Sequence, residues 1–209
     1  MLMGIDKDAE RSSPAGSKID RYTLIEKIGA GGMGSVWRAK QEEPVQREVA
    51  LKLIKLGMDT RELVARFEAE RQMLALLDHP NIAQIFDAGT TESGRPYYVM
   101  ELVNGLPVTD YCEKHQLSVE ERLQLFCRIC EAIQHAHQKG IVHLDLKPSN
   151  ILVVSHESQH MKVIDFGIAK AAGPDFAEHT LTKDGHIAGT PGYMSPEQAD
   201  GSKAIDLRA

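Results

Sequence analysis

The chain has 209 residues, 42% of them hydrophobic and 26% charged, and a formal net charge of −6. That balance is typical of a globular protein, and its sign excludes a broad basic surface for nucleic acid. The apolar runs are too short for a transmembrane helix, and the start, Met1 to Asp6, lacks a basic stretch leading into an apolar one, so a cytoplasmic chain with no membrane segment is expected.

Residues 1–18 mix charges with Ser12, Ser13, Pro14 and Gly16 and show no apolar period, which reads as a flexible lead-in. Order is expected from Ile19. Three strands are predicted over Tyr22 to Ile28, Ser35 to Ala39 and Val49 to Ile54, joined by glycine-rich and Glu-Glu-Pro connections. Between the first two lies Gly29-Ala-Gly31-Gly-Met-Gly34-Ser-Val36, a G-x-G-x-x-G-x-V pattern. Glycines there would let backbone approach phosphate oxygens that side chains would obstruct. A dinucleotide-binding turn is the rival reading, but it needs a helix opening at the last glycine, whereas Ser35 to Ala39 reads as strand.

From Arg61 to Leu77, residues Leu63, Phe67, Leu74 and Leu77 recur at helical spacing, with Glu70 on the same stripe. An inward carboxylate needs a cation from another element; the alternative is an ordinary surface glutamate at the stripe's edge. Strands over Ile82 to Phe86 and Tyr97 to Val103 complete a five-stranded antiparallel unit with one helix. Past Asn104-Gly105 the pattern turns helical, over Val108 to His115 and Val119 to Lys139, the second capped by Ser118 and stopped by Gly140. Short strands at Ile151 to Val154 and Met161 to Ile164 precede a turn-rich tail.

Three cysteines, Cys112, Cys127 and Cys130, suit a reducing compartment. Cys127 and Cys130 form a C-x-x-C pair, but they fall within a helical pattern and no second pair completes a zinc site. They read as buried helix cysteines.

In fixed order the chain carries Val49-Ala-Leu-Lys52, Glu70, His143-Leu-Asp145-Leu-Lys147-Pro-Ser-Asn150, Asp165-Phe-Gly167 and Ser195-Pro-Glu197. With the glycine loop, these resemble the signature set of the protein kinase family, and in detail its bacterial eukaryotic-type Ser/Thr branch. The resemblance covers about Ile19 to the end. It implies an α+β, bilobal fold: a flexible segment over 1–18, an N-lobe and hinge over 19–103, and a partial, mainly helical C-lobe over 104–209. It also implies ATP and magnesium as cofactors and a protein Ser or Thr hydroxyl as acceptor.

Residue by residue, the resemblance implies Lys52 on the nucleotide phosphates with Glu70 as its partner, Asp145 as base, and Lys147 neutralising the transferring group. Asp165 and Asn150 would bind metal, and Thr190 would tie the substrate-facing loop to Asp145 and Lys147. Around the nucleotide it implies Ile28, Gly29, Gly31, Gly34, Val36, Ala50 and Leu152, with Met100 as gatekeeper and backbone groups from Glu101 to Val103.

Two departures stand out. Leu144 occupies the place where the family often has an arginine, so a switch pairing that arginine with a phosphorylated segment is not expected; Thr180, Thr182 and Thr190 remain candidate phosphorylation sites. The chain also ends about where the family's central C-lobe helix would start. That leads to the expectation of an uncovered apolar face on Val119 to Lys139, a Glu197 without its usual arginine, and a partner chain over the C-lobe. A catalytically weak nucleotide-binding interaction module is the alternative function.

Overall fold

Alternation along the predicted strands should sort side chains onto the two faces of one sheet, and the computed structural model bears this out. It describes residues 15–31, 34–55, 77–154, 160–166 and 190–199. The strands are β1 (Lys18–Ile19), β2 (Tyr22–Gly31), β3 (Gly34–Gln41), β4 (Arg47–Ile54), β5 (Ile85–Thr90) and β6 (Pro96–Glu101). They form one antiparallel sheet in the order β1-β2-β3-β4-β6-β5. The five predicted strands are joined by β1, which begins one residue before the expected onset of order. The helix expected over Arg61 to Leu77, with Glu70, lies outside the described residues except for Leu77, which is buried.

Val49, Leu51 and Leu53 of β4 pack with Leu24, Trp37, Tyr97 and Val99 on one side of the sheet. Ala50 and Ile54 turn to the other side, where they join Tyr98 and Met100 in a core that continues into the second half of the chain. Burial on both faces explains why β4 is apolar almost throughout. Lys52, between Ala50 and Ile54, is therefore sent by the pleat into that shared core.

The fourth predicted strand, β5, begins at Ile85 rather than Ile82 because the residues before it find a different partner. Ile82 forms a parallel bridge with Val163, Ala83 N donates to Val163 O at 2.9 Å, and Val163 N donates to Asn81 O at 2.8 Å. These bonds draw the segment away from the sheet. A second link joins the two halves at the end of β6, where Lys162 Nζ lies 2.8 Å from Glu101 Oε2, which also accepts from Gln84 N at 3.2 Å.

The second half holds a small sheet, β7 (Leu106–Pro107), β8 (Ile151–Val153) and β9 (Met161–Val163), in the order β7-β8-β9. Helices α1 (Val108–Lys114) and α2 (Val119–Gln138) stand beside it. Ser118 and Glu121 make a reciprocal capping box at the start of α2, and Gly140, at φ +74°, follows its end as expected. Leu125, Ile129, Ala132 and Ala136 form the buried stripe. At 100° per residue the opposite side collects Val119, Leu123 and Phe126, all exposed, together with exposed Cys127 and Cys130. The two cysteines are thus not buried as expected, because the helix has apolar residues on two sides and they belong to the outer one; Cys112 alone is buried. Among the described residues no helix is long and apolar enough to cross a membrane.

Gly34 opens β3 at φ +144°, and a Cβ there would stand 1.9 Å from Leu53 O. The hairpin joining β2 to β3 can lie against β4 only without that atom. Gly34→Ala is expected to lower stability by about 1–3 kcal/mol, the usual cost of forced overpacking; urea denaturation of parent and variant checks this.

Candidate active site

The segment after α2 runs through the core as Ile141 and His143 and then turns sharply, with Leu144 at φ +61°. A bulky residue in that region costs about 1–3 kcal/mol and persists only where its surroundings enforce it. Here the enforcement comes from Gln198, a buried side chain of the short helix α3 (Pro196–Ala199), whose Nε2 donates to Leu144 O at 2.9 Å. Gln198 is itself held by Ser195, which donates N–H to its Oε1 at 3.1 Å.

The turn presents Asp145. Its Oδ2 accepts from Lys147 Nζ at 2.9 Å, and its Oδ1 accepts from Thr190 Oγ1 at 3.4 Å. Lys147 Nζ also donates to Thr190 Oγ1 at 2.9 Å, closing a three-residue network in which the charged groups are partly shielded from water. The tie that the sequence placed among Thr190, Asp145 and Lys147 is present. Thr180 and Thr182 lie outside the described residues.

Asn150 ends a 3-10 turn (Pro148–Asn150) and is buried. Its Nδ2 donates to Asp145 O at 2.9 Å, which leaves the amide oxygen as the end able to meet a cation. Its backbone oxygen accepts from Ile164 N at 2.9 Å, binding this turn to the strand exit that carries Asp165. His143 adds a second tie: Nε2 lies 3.1 Å from Ile164 O, and Nδ1 accepts from Asp145 N at 3.3 Å. A neutral ring with its proton on Nε2 satisfies both bonds. Burial holds the His143 pKa below its ordinary 6.5, against smaller opposing effects of the Ile164 carbonyl and the Asp165 and Asp145 carboxylates.

Asp165, at φ +61°, is where the two halves of the molecule meet chemically. Its Oδ1 accepts from Lys52 Nζ, arriving from β4, and from the hydroxyl of Tyr98, arriving from β6. Glu70 lies outside the described residues, and among them the carboxylate that Lys52 meets is Asp165. Removing one partner of a fully buried ion pair costs about 3–5 kcal/mol. Lys52 and Asp165 keep 10% and 23% of their side-chain surface exposed, which lowers that figure.

Asp165 and Asn150 supply oxygen donors, the kind a hard cation takes. No group of three or more His, Cys, Asp or Glu able to hold a metal occurs among the described residues. A magnesium ion that borrows phosphate oxygens from a nucleotide needs only one or two protein ligands, so this sparse set fits it.

The remaining expected positions border the same region. Gly29 pairs with Val36 across the hairpin, and Cβ atoms added at Gly29 or Gly31 would find ordinary contact or open space, so backbone there is approachable. Val36 packs on the core that contains Ala50 and Met100, whereas Ile28 is exposed and Leu152 and Val103 are half-buried. Glu101 has its carboxylate committed to Lys162 and its main-chain N–H to Gln84 O at 2.8 Å. Tyr98 and Gln198 did not emerge from the sequence. Tyr98 faces Lys52 through strand register, and Gln198 reaches Leu144 across 54 residues; only Gln198's polarity within a short capping pattern offered a signal.

Comparison with known proteins finds the protein kinase domain matched over residues 22–207. A probable serine/threonine-protein kinase PknB of Lactococcus lactis is 41% identical over 187 residues, covering 88% of this chain and 29% of that protein. PrkC of Bacillus subtilis is 40% identical, with 88% and 28% covered, and PknA of Mycobacterium tuberculosis is 40% identical, with 90% and 44% covered. The chain thus spans less than half the length of these relatives. The crystal structure of the M. tuberculosis PknI kinase domain is similar at a TM-score of 0.69 and 27% identity, covering 95% of this chain and 70% of that one.

The depressed His143 pKa has a definite sign. Below pH 6.5 the unfolded ring takes up a proton that the folded ring resists, so stability present above 6.5 is lost as pH falls toward the folded pKa. His79 and His137 are shifted in the same direction by burial, so His143→Gln isolates the effect. Denaturation midpoints measured between pH 8 and 5 are expected to fall less steeply for His143→Gln than for the parent.

Proposed function

This chain belongs to the protein kinase family, and from that premise we propose that it transfers the γ-phosphate of ATP to Ser or Thr hydroxyls of a protein substrate. The observation that carries the reading is the convergence of Lys52, Asp165 and the loop residues Asp145, Lys147 and Asn150, from three segments of the chain, through one connected set of hydrogen bonds. The cleft would lie between an N-lobe over 19–103 and a C-lobe over 104–209.

Each residue has a distinct task. Lys52 exchanges its bond to Asp165 for the nucleotide phosphates, a cation moving between two anions within one partly dry site. Asp165 and the amide oxygen of Asn150 would hold magnesium, which would supply positive charge against the triphosphate. Asp145 accepts the hydrogen bond of the substrate hydroxyl and orients it for attack; Lys147, already 2.9 Å from Oδ2, stays beside the transferring group and offsets its charge.

Thr190 ties the loop that receives the substrate to this pair, so loop placement and base placement are set together. The adenine ring would rest among Val36, Ala50 and Leu152 beside Met100, with Ile28, Gly29, Gly31 and Gly34 covering the phosphates and main-chain groups of Glu101 to Val103 reading its edge. A lysine two positions after the base suits aliphatic hydroxyl acceptors, the Ser/Thr class that the relatives' names carry.

A magnesium-dependent γ-phosphate transfer assay on a mixed protein substrate tests this. Asp145→Asn is expected to lower the rate on the order of a hundredfold or more, the range for loss of a positioned base. Equal signals from parent and variant would remove phosphoryl transfer and leave nucleotide binding alone. Lys52→Met is expected to abolish the thermal stabilisation given by Mg-ATP; an unchanged shift would remove Lys52 from the nucleotide site.

A further inference from the structure

Tyr98 is 2% exposed and sits directly opposite Lys52 in the register of β4 and β6. The two side chains leave the sheet on the same face, with Lys52 Nζ 5.7 Å from the Tyr98 ring centroid, and both donate to the same oxygen, Oδ1 of Asp165. Oδ2 receives no bond among the described residues. The carboxylate is thus divided: one oxygen is tied to the sheet and the other is left for a ligand.

The two donors are not equivalent. A lysine that turns to nucleotide phosphates must give up the aspartate, whereas the buried Tyr98 hydroxyl has no second duty among the described residues. A phenol is also neutral, so it can orient a carboxylate without offering the positive charge that would compete with a cation.

The geometry points to Tyr98 as a positioning residue that fastens Oδ1 of Asp165 to the central sheet, so that Oδ2 is set for the magnesium accompanying the nucleotide once Lys52 has left. This rests on the kinase reading of the site. It adds a link between the two halves of the molecule that does not involve Glu70.

The test uses the 209-residue chain, the non-hydrolysable ATP analogue AMPPNP at fixed concentration, and a magnesium titration followed by thermal shift. Tyr98→Phe removes one oxygen and keeps the ring. It is expected to raise the magnesium midpoint on the order of tenfold, the scale on which partners of metal ligands act, while AMPPNP stabilisation in EDTA stays at the parent's level. A midpoint equal to or below the parent's would overturn the proposal, as would an equal loss of stabilisation with and without metal, since the hydroxyl would then support the fold and not the metal ligand. Asp165→Asn separates the two levels: if it leaves the parent's magnesium dependence intact, the kinase reading of Asp165 itself fails; if it abolishes that dependence while Tyr98→Phe matches the parent, only the role of Tyr98 falls.

Discussion

A lysine ammonium with little access to water must find a carboxylate, and the fold is arranged so that Lys52 finds one that belongs to the other half of the chain. The pleat of β4 dictates the direction: with Val49, Leu51 and Leu53 on one core and Ala50 and Ile54 on another, Lys52 can only enter the region shared by both halves. Asp165 answers from beyond β9. Neither residue has a satisfactory place unless the halves are together, so the pair acts as a condition on assembly as well as a local bond.

What surrounds Asp165 is a set of polar groups that each do two things. Asn150 donates to the carbonyl of Asp145 and accepts, through its backbone, from Ile164. His143 bridges the same two segments and packs its ring 4.6 Å from that of Phe166. Thr190 joins a distant loop to both Asp145 and Lys147. Such a network is rigid because every displacement breaks more than one bond, and rigidity is what a site that works by placement requires. The unfavourable turn at Leu144 is the counterpart: local strain held by Gln198 in exchange for the orientation of Asp145.

Much of this was readable before any coordinates. Lys52, Asp145, Lys147, Asn150 and Asp165 carry spacing that resembles a family pattern, and the strands and α2 announce themselves through period and caps. What was less legible depends on distance in sequence. Ile82 looked like the start of a strand because the β-formers Ile85 and Phe86 follow it closely, but its partner is Val163, some eighty residues on. Tyr98 looked like sheet packing because nothing local says that a cross-strand lysine shares its acceptor. Cys127 and Cys130 looked buried because helical spacing identifies an apolar face without saying whether anything lies on it.

The bridge from Glu101 to Lys162 bears on how the halves can move. It clamps the exit of the large sheet to the small one, while a Cβ at Gly105 would come within 2.8 Å of Val153 O, so the chain hugs β8 closely a few residues later. Only Leu102 to Asn104 lie between these two anchor points. Any displacement of one half against the other along this connection must therefore be absorbed by the backbone angles of those three residues.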